Sequence, residues 1–179
     1  MTGTRRYQLL SLILTGLAGI GRSAFATPSQ TTSDHVRAGN ALIATLIQHA
    51  GERSNTFRRL LDTINASDGI VYIEPGTCGH GIRACFVKVT MAGPTRLLWV
   101  MVDTQGDDCD LMGLVAHELQ HTIEVLSNPS VTSPAAMYFF YSQEADAGNS
   151  PAFETNAAKR AGEAVRAEVR QNSRCTKIR

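Results

Sequence analysis

Two histidines and a glutamate stand together in the segment His117-Glu118-Leu119-Gln120-His121, an H-E-x-x-H pattern. On a helix, residues four apart lie one turn apart on the same face, with Cβ atoms about 5–6 Å from each other. Two imidazoles at that spacing can share one tetrahedral zinc ion. Glu118 falls about 100° round the helix, near such an ion without ligating it, where it can act as general base toward a water. The chemistry this spacing offers is metal-assisted hydrolysis. The bland reading is a pair of core histidines satisfied by ordinary hydrogen bonds. Against it, Leu111, Leu114, Val115, Leu119, Ile123, Val125 and Leu126 surround the three titratable groups. Burying such groups unpaired is costly, and a metal ion gives them a partner.

A zinc site of this kind needs a third protein ligand. The other histidines are His35, His49 and His80, and none follows the motif at short spacing. The best candidate is Glu154, in Phe153-Glu154-Thr155-Asn156-Ala157-Ala158, expected on the first turns of a final helix. From it runs a stripe of Ala157, Ala158, Ala161, Val165 and Val169, and small residues there let this helix approach the motif helix closely. The ordinary role for Glu154 is an exposed acid favouring a helix N-terminus. Glu124 is the rival, but three donors from one straight helix converge poorly. It is assigned to orienting an imidazole through the outer ring N–H, with a surface ion pair as its plain alternative.

The His117–His121 and Phe153–Ala158 segments together resemble the gluzincin type of zinc metallopeptidase. They are also similar to short exported bacterial proteins with HELQH and FET-like blocks at about this separation. The resemblance is specific over residues 110 to 170. It implies a minimal zincin-like domain in which His117, His121 and Glu154 hold Zn2+ and Glu118 is the catalytic base. It implies that the strand before the motif helix, Leu97–Val102, forms the wall along which a peptide lies. It also implies a Tyr or His that stabilises the oxyanion; Tyr138 and Tyr141 are candidates by proximity, with core packing as their plain role.

The elements that must position these groups are legible in outline. Asp34 caps a first helix carrying Val36, Leu42, Ile43, Leu46 and Ile47, and a second covers Phe57 to Ile64. Three strand-like runs follow, Ile70–Glu74, Ala84–Met91 and Arg96–Asp103. Turn residues at Pro75-Gly76 and Gly93-Pro94 separate them, as sequential antiparallel pairing requires. The third run is apolar almost throughout, so it is expected to be covered on both faces. Asp110–Leu126 is apolar nearly all round, the pattern of a buried helix. A short helix over Pro134–Ser142 and a polar loop lead to a last helix from Ala152 to about Arg170, with Ser150 as N-cap and Pro151 at the first helical position. Helices, a small sheet and helices again define an α+β fold, with a mostly antiparallel sheet packed on the H-E-x-x-H helix and the C-terminal helix.

Residues 1–26 read as a secretory signal peptide: Arg5-Arg6, the apolar stretch Leu9–Ile20, then Ala24-Phe25-Ala26 as a small-x-small exit. The stretch falls short of the ~20 residues that span a bilayer. Residues 27–179 are then a single mature domain of a secreted or periplasmic protein. All four cysteines lie in it, and an even count in an exported chain points to disulfides. Cys78 and Cys85 flank a Gly-rich turn suited to a local staple, which leaves Cys109 for Cys175. A zinc site from Cys78, His80 and Cys85 is the weaker alternative, because paired CxxC spacing is missing.

The whole chain carries 17 basic and 16 acidic residues. Without the leader arginines Arg5, Arg6 and Arg22 the balance is 14 to 16. A near-neutral chain with three lysines lacks the clustered cations that phosphate-backbone binding needs, so nucleic acid is excluded as a partner. The expected partner is a peptide or protein substrate, with no membrane anchor after leader removal and a monomer as the default state. A zinc-binding exported protein without turnover is the alternative function.

Overall fold

The computed structural model describes residues 34–144, 154–172 and 174–178. The leader, Ser150 and Pro151 lie outside them. The described residues form an α+β fold of five helices, a four-stranded sheet and a two-stranded one.

The first segment differs from expectation. Val36–Ala38 is a strand, β1, and the helix α1 begins only at Ala41 and runs to Arg53. Its N-cap is Asn40, whose side chain accepts from the Ile43 amide, rather than Asp34. The apolar spacing from Val36 into α1 mimics one helix, but Gly39-Asn40 interrupts it. Helix α2 (Asn55–Asn65) follows at once, with the buried Ser54 as cap through its hydroxyl. Glu168, from the last helix, accepts hydrogen bonds from Ser54 Oγ and from the amide and hydroxyl of Thr56. Burial opposes the charge of Glu168, but these donors outweigh it and hold the carboxyl below its ordinary value.

Strands β2 (Gly69–Pro75), β3 (Ala84–Ala92) and β4 (Thr95–Val102) complete the main sheet in the order β1-β2-β4-β3. The β3–β4 hairpin is antiparallel, as its Gly93-Pro94 turn requires. The remaining pairings correct the sequential antiparallel reading. β2 pairs β4, not β3, and does so in parallel, while β1 pairs β2 in parallel. The sheet is therefore mixed. Turn residues encode the local hairpin, whereas the choice of β2's neighbour is made by distant packing.

Val71, Ile73, Leu98, Val100 and Val102 point from this sheet into the core beneath α1, α2 and α3. β4 alternates buried and half-buried residues, and its second face is only partly covered among the described residues. On that face a row crosses all four strands, Arg37–Tyr72–Trp99–Lys88 in register. The Tyr72 and Trp99 rings stack at 5.5 Å, with the Arg37 guanidinium against Tyr72 and the Lys88 ammonium 4.4 Å over Trp99. Mutual stacking and cation–π contact shield this apolar face.

The long helix α3 (Asp108–Leu126) is buried nearly all round, as its apolar pattern requires, and Asp107 caps it. Arg96 of β4 secures its other end. The guanidinium donates to the carbonyls of Val125, Leu126 and Asn128 and pairs with Asp68 at 2.6 Å. Helix α4 (Pro134–Glu144) lies against β3, and α5 (Asn156–Asn172) packs mainly along α3. At the α3–α5 crossing two glycines meet. A Cβ on Gly162 would stand 2.9 Å from the Gly113 carbonyl and 3.2 Å from His117 Cβ, so only a bare backbone permits this approach.

Both expected disulfides are formed, Cys78–Cys85 and Cys109–Cys175, which excludes these thiolates from a zinc site. They fit an oxidising compartment. The second pins the short strand β6 (Lys177–Ile178) beside β5 (Gly106–Asp107). Asp108 helps by accepting from the amide and hydroxyl of Thr176. Cross-links that close longer loops restrict the unfolded chain more. Cys109 and Cys175 are 66 residues apart, and Cys78 and Cys85 are 7 apart. Loop entropy then assigns about 4 kcal/mol to the long bridge and about 2 to the short one. Replacing Cys109 and Cys175 together by Ser is expected to lower the denaturation midpoint more than replacing Cys78 and Cys85; the reverse order would refute this ranking. Among the described residues no helix is long and apolar enough to cross a membrane.

Candidate metal centre

His117 and His121 project from one face of α3, as the four-residue spacing requires, with their Nε2 atoms 3.2 Å apart. Glu154 approaches from the segment leading into α5, placing Oε1 3.2 Å from His117 Nε2. It sits one residue ahead of the α5 cap rather than on the helix itself: α5 begins at Asn156, capped by Thr155, whose hydroxyl accepts from the Ala158 amide. One ligand atom from each of the three residues lies within 4.8 Å of the others. His35, His49 and His80 join no such group among the described residues.

This set can be tested for a tetrahedral metal. Zinc bonds of about 2.0–2.2 Å to nitrogen and oxygen imply donor–donor edges of roughly 3.3 Å. The His117–His121 and His117–Glu154 separations, both 3.2 Å, come close to that edge. The donor chemistry fits as well, since two imidazoles and one carboxylate are a standard zinc set. The outer nitrogen of His121 supplies a further check. Its Nδ1 lies 3.0 Å from Glu124 Oε2, so the ring donates its proton there and leaves Nε2 bare toward the cluster. Glu124 stands outside the group of three and contacts the outer nitrogen of the His121 ring.

Glu118 is buried at 5% exposure beside the cluster, with the backbone amide of Phe86 in hydrogen-bonding reach. Burial raises its carboxyl above the ordinary value, against the opposing charges of His121 and His117. Phe86 belongs to β3, next to a bulge at which the β3–β4 register slips between Phe86 and Lys88. β3 is one edge of the sheet and β1 the other, whereas β4 is paired on both sides. The wall expected from Leu97–Val102 is thus closed to a peptide backbone, and of the two edge strands among the described residues β3 is the one that carries Phe86.

The tyrosines part company. Tyr141 donates to the His121 carbonyl at 2.8 Å and sets its ring edge-on to the His121 imidazole. Burial foremost, and then the Glu124 and Glu118 charges, raise its phenol far above the usual range. It supports His121 rather than presenting a hydroxyl to a reacting carbonyl. Tyr138 is 58% exposed on α4. The sequence offered no signal for Thr155, whose hydroxyl donates to Glu124 Oε1 at 2.6 Å.

The charges around His117 set a pH dependence. Burial disfavours its imidazolium, but the Glu154 hydrogen bond and the charges of Glu118, Glu154 and Glu124 outweigh this and raise its pKa above the ordinary 6.5. The His117 hydrogen bond holds Glu154 below its own usual value, despite burial. Without metal, the protonated pair stabilises the fold below the unfolded histidine pKa, and this contribution fades as pH rises through the raised folded value. A zinc ion bound at this candidate site would have to displace that proton. Affinity is therefore expected to begin falling above pH 6.5 on acidification, by roughly tenfold per pH unit once His117 is protonated. Titration against a chelator of known pH dependence checks this; a flat affinity down to pH 6 would contradict it.

Comparison of the chain with protein-family models, with curated proteins and with solved structures finds no match.

Proposed function

We propose that this protein is an exported, zinc-dependent peptide hydrolase of the gluzincin type, built on a minimal zincin-like scaffold. The observation that carries the reading is the convergence of His117 and His121 on α3 with Glu154 from the segment ahead of α5, with the buried Glu118 alongside. The three ligands would hold Zn2+, which supplies Lewis-acid polarisation of a carbonyl and acidifies a coordinated water. Glu118 takes the proton as water oxygen bonds to the scissile carbon, and passes it to the amine as the C–N bond breaks. Burial raises its proton affinity above that of an ordinary carboxyl, which favours both taking the proton and returning it. Glu124 and Tyr141 keep the His121 ring in place throughout.

Room for the substrate also follows from the geometry. The cleft between α3 and α5, bounded by Leu114, His117, Lys159 and Arg166, has a volume of about 140 Å³. A volume of this order holds several solvent molecules beside His117. A peptide is better accommodated along the open side of β3, whose Phe86 lies beside Glu118.

A second reading has its own support: a zinc-binding exported protein without turnover. Tyr141 is committed to the His121 carbonyl, and no oxyanion donor is assigned. Digestion of a mixed peptide library, read by mass spectrometry with and without a chelator, separates the two. Chelator-sensitive cleavage supports the hydrolase, and a zinc-loaded but inert protein supports the alternative.

A further inference from the structure

Glu154 and His121 are supplied to the cluster by different segments of the chain, one ahead of α5 and one on α3. A single side chain links them. Thr155, adjacent to Glu154, donates its hydroxyl proton to Glu124 Oε1 at 2.6 Å, and the other oxygen of Glu124 holds His121 Nδ1 at 3.0 Å. The same hydroxyl accepts from the Ala158 amide at 3.1 Å and so starts α5. One oxygen atom therefore fixes where α5 begins, where Glu154 stands, and how His121 is turned.

We propose that Thr155 is a positioning residue for the metal centre, a clasp that sets the Glu154 carboxylate and the second α3 imidazole to one point. The inference rests on the zinc reading of the same site. Among the many contacts between α5 and α3, two divide the work of placing this end. The Gly113–Gly162 crossing fixes the distance between the helices. It lies about two turns from Glu154 and does not itself anchor the segment ahead of the cap. The Thr155–Glu124 bond supplies that restraint, joining residues 31 apart in sequence. Valine in place of Thr155 keeps the shape and loses both roles of the hydroxyl. Serine keeps both. A capping role alone would act within α5 and be indifferent to Glu124.

The experiment measures zinc affinity by chelator competition, and the visible spectrum of the cobalt-substituted protein, for full-length wild type, Thr155→Ser, Thr155→Val, Glu124→Ala and the Thr155→Val/Glu124→Ala double variant. Thr155→Val is expected to weaken zinc binding by about 10–100-fold, the usual effect of losing an outer partner, and to alter the cobalt spectrum. Thr155→Ser should stay within about threefold of wild type. In the Glu124→Ala background the valine should cost less than about twofold more, because its partner is gone. An equal loss in both backgrounds, or a valine variant with wild-type affinity and spectrum, overturns the clasp while leaving the zinc site intact. A wild type that binds no zinc overturns the underlying reading as well, before any variant is compared.

Discussion

Glu118→Gln is expected to reduce peptide hydrolysis by roughly 10²–10⁴-fold while zinc content stays at the wild-type level. The separation of the two effects follows from geometry. The ligand atoms come from His117, His121 and Glu154, so an amide at position 118 leaves the donor set untouched. The substitution nearly preserves volume at a site that is 5% exposed, and it removes a carboxylate whose proton affinity burial has raised. An amide cannot take a proton from water and return it to a leaving amine. The measurement is steady-state cleavage of a peptide identified from the library, beside zinc stoichiometry on the same preparation. If the Glu118→Gln variant kept more than about a tenth of the activity, Glu118 would be removed from the chemistry and the mechanism left without a base.

Arg96→Met is expected to be the most destabilising single substitution away from the candidate metal centre. The guanidinium is 3% exposed and donates to three carbonyls at the C-terminal end of α3 while pairing with Asp68. The last carbonyls of a helix have no partner within it, and a cation placed there also complements the helix dipole. Methionine fills much of the space and satisfies none of those groups. Breaking such a buried charged network costs about 3–5 kcal/mol, or roughly 10–15 °C in a domain of this size. Trp99, the one tryptophan of the chain, reports unfolding through its fluorescence. Arg96→Lys should recover only part of the loss, because a single ammonium cannot reproduce the fork. A change below about 1 kcal/mol for the methionine variant would show that solvent satisfies the helix end instead.

Arg96 also shows where sequence reasoning runs out. It lies in an apolar run, and nothing local tells that its guanidinium folds under the sheet to the far end of α3, at Val125 and Leu126. The motif histidines were legible because helical periodicity alone sets their separation. Glu154 was legible from the small-residue stripe that follows it and from its resemblance to a ligand block. Its exact placement was not: Ser150 and Pro151 make a persuasive helix start, yet the helix begins at Asn156 under the Thr155 cap. The disulfide pairing was legible because a Gly-rich turn brings Cys78 to Cys85 and leaves one partner for Cys109. β1 was hidden because three residues carry too little pattern to compete with the apolar spacing that continues into α1. The parallel β2–β4 ladder was hidden for a different reason. Hairpin turns announce themselves locally, while a parallel neighbour is chosen by the packing of α1, α2 and α3 on one face.

Zinc content after exhaustive dialysis, compared between wild type and Glu154→Ala, tests the central claim most directly. The account predicts about one zinc per wild-type chain, and a Glu154→Ala protein that stays folded by Trp99 fluorescence but retains little metal. A wild-type protein that comes through dialysis empty, or an alanine variant that holds zinc as tightly as wild type, would contradict it.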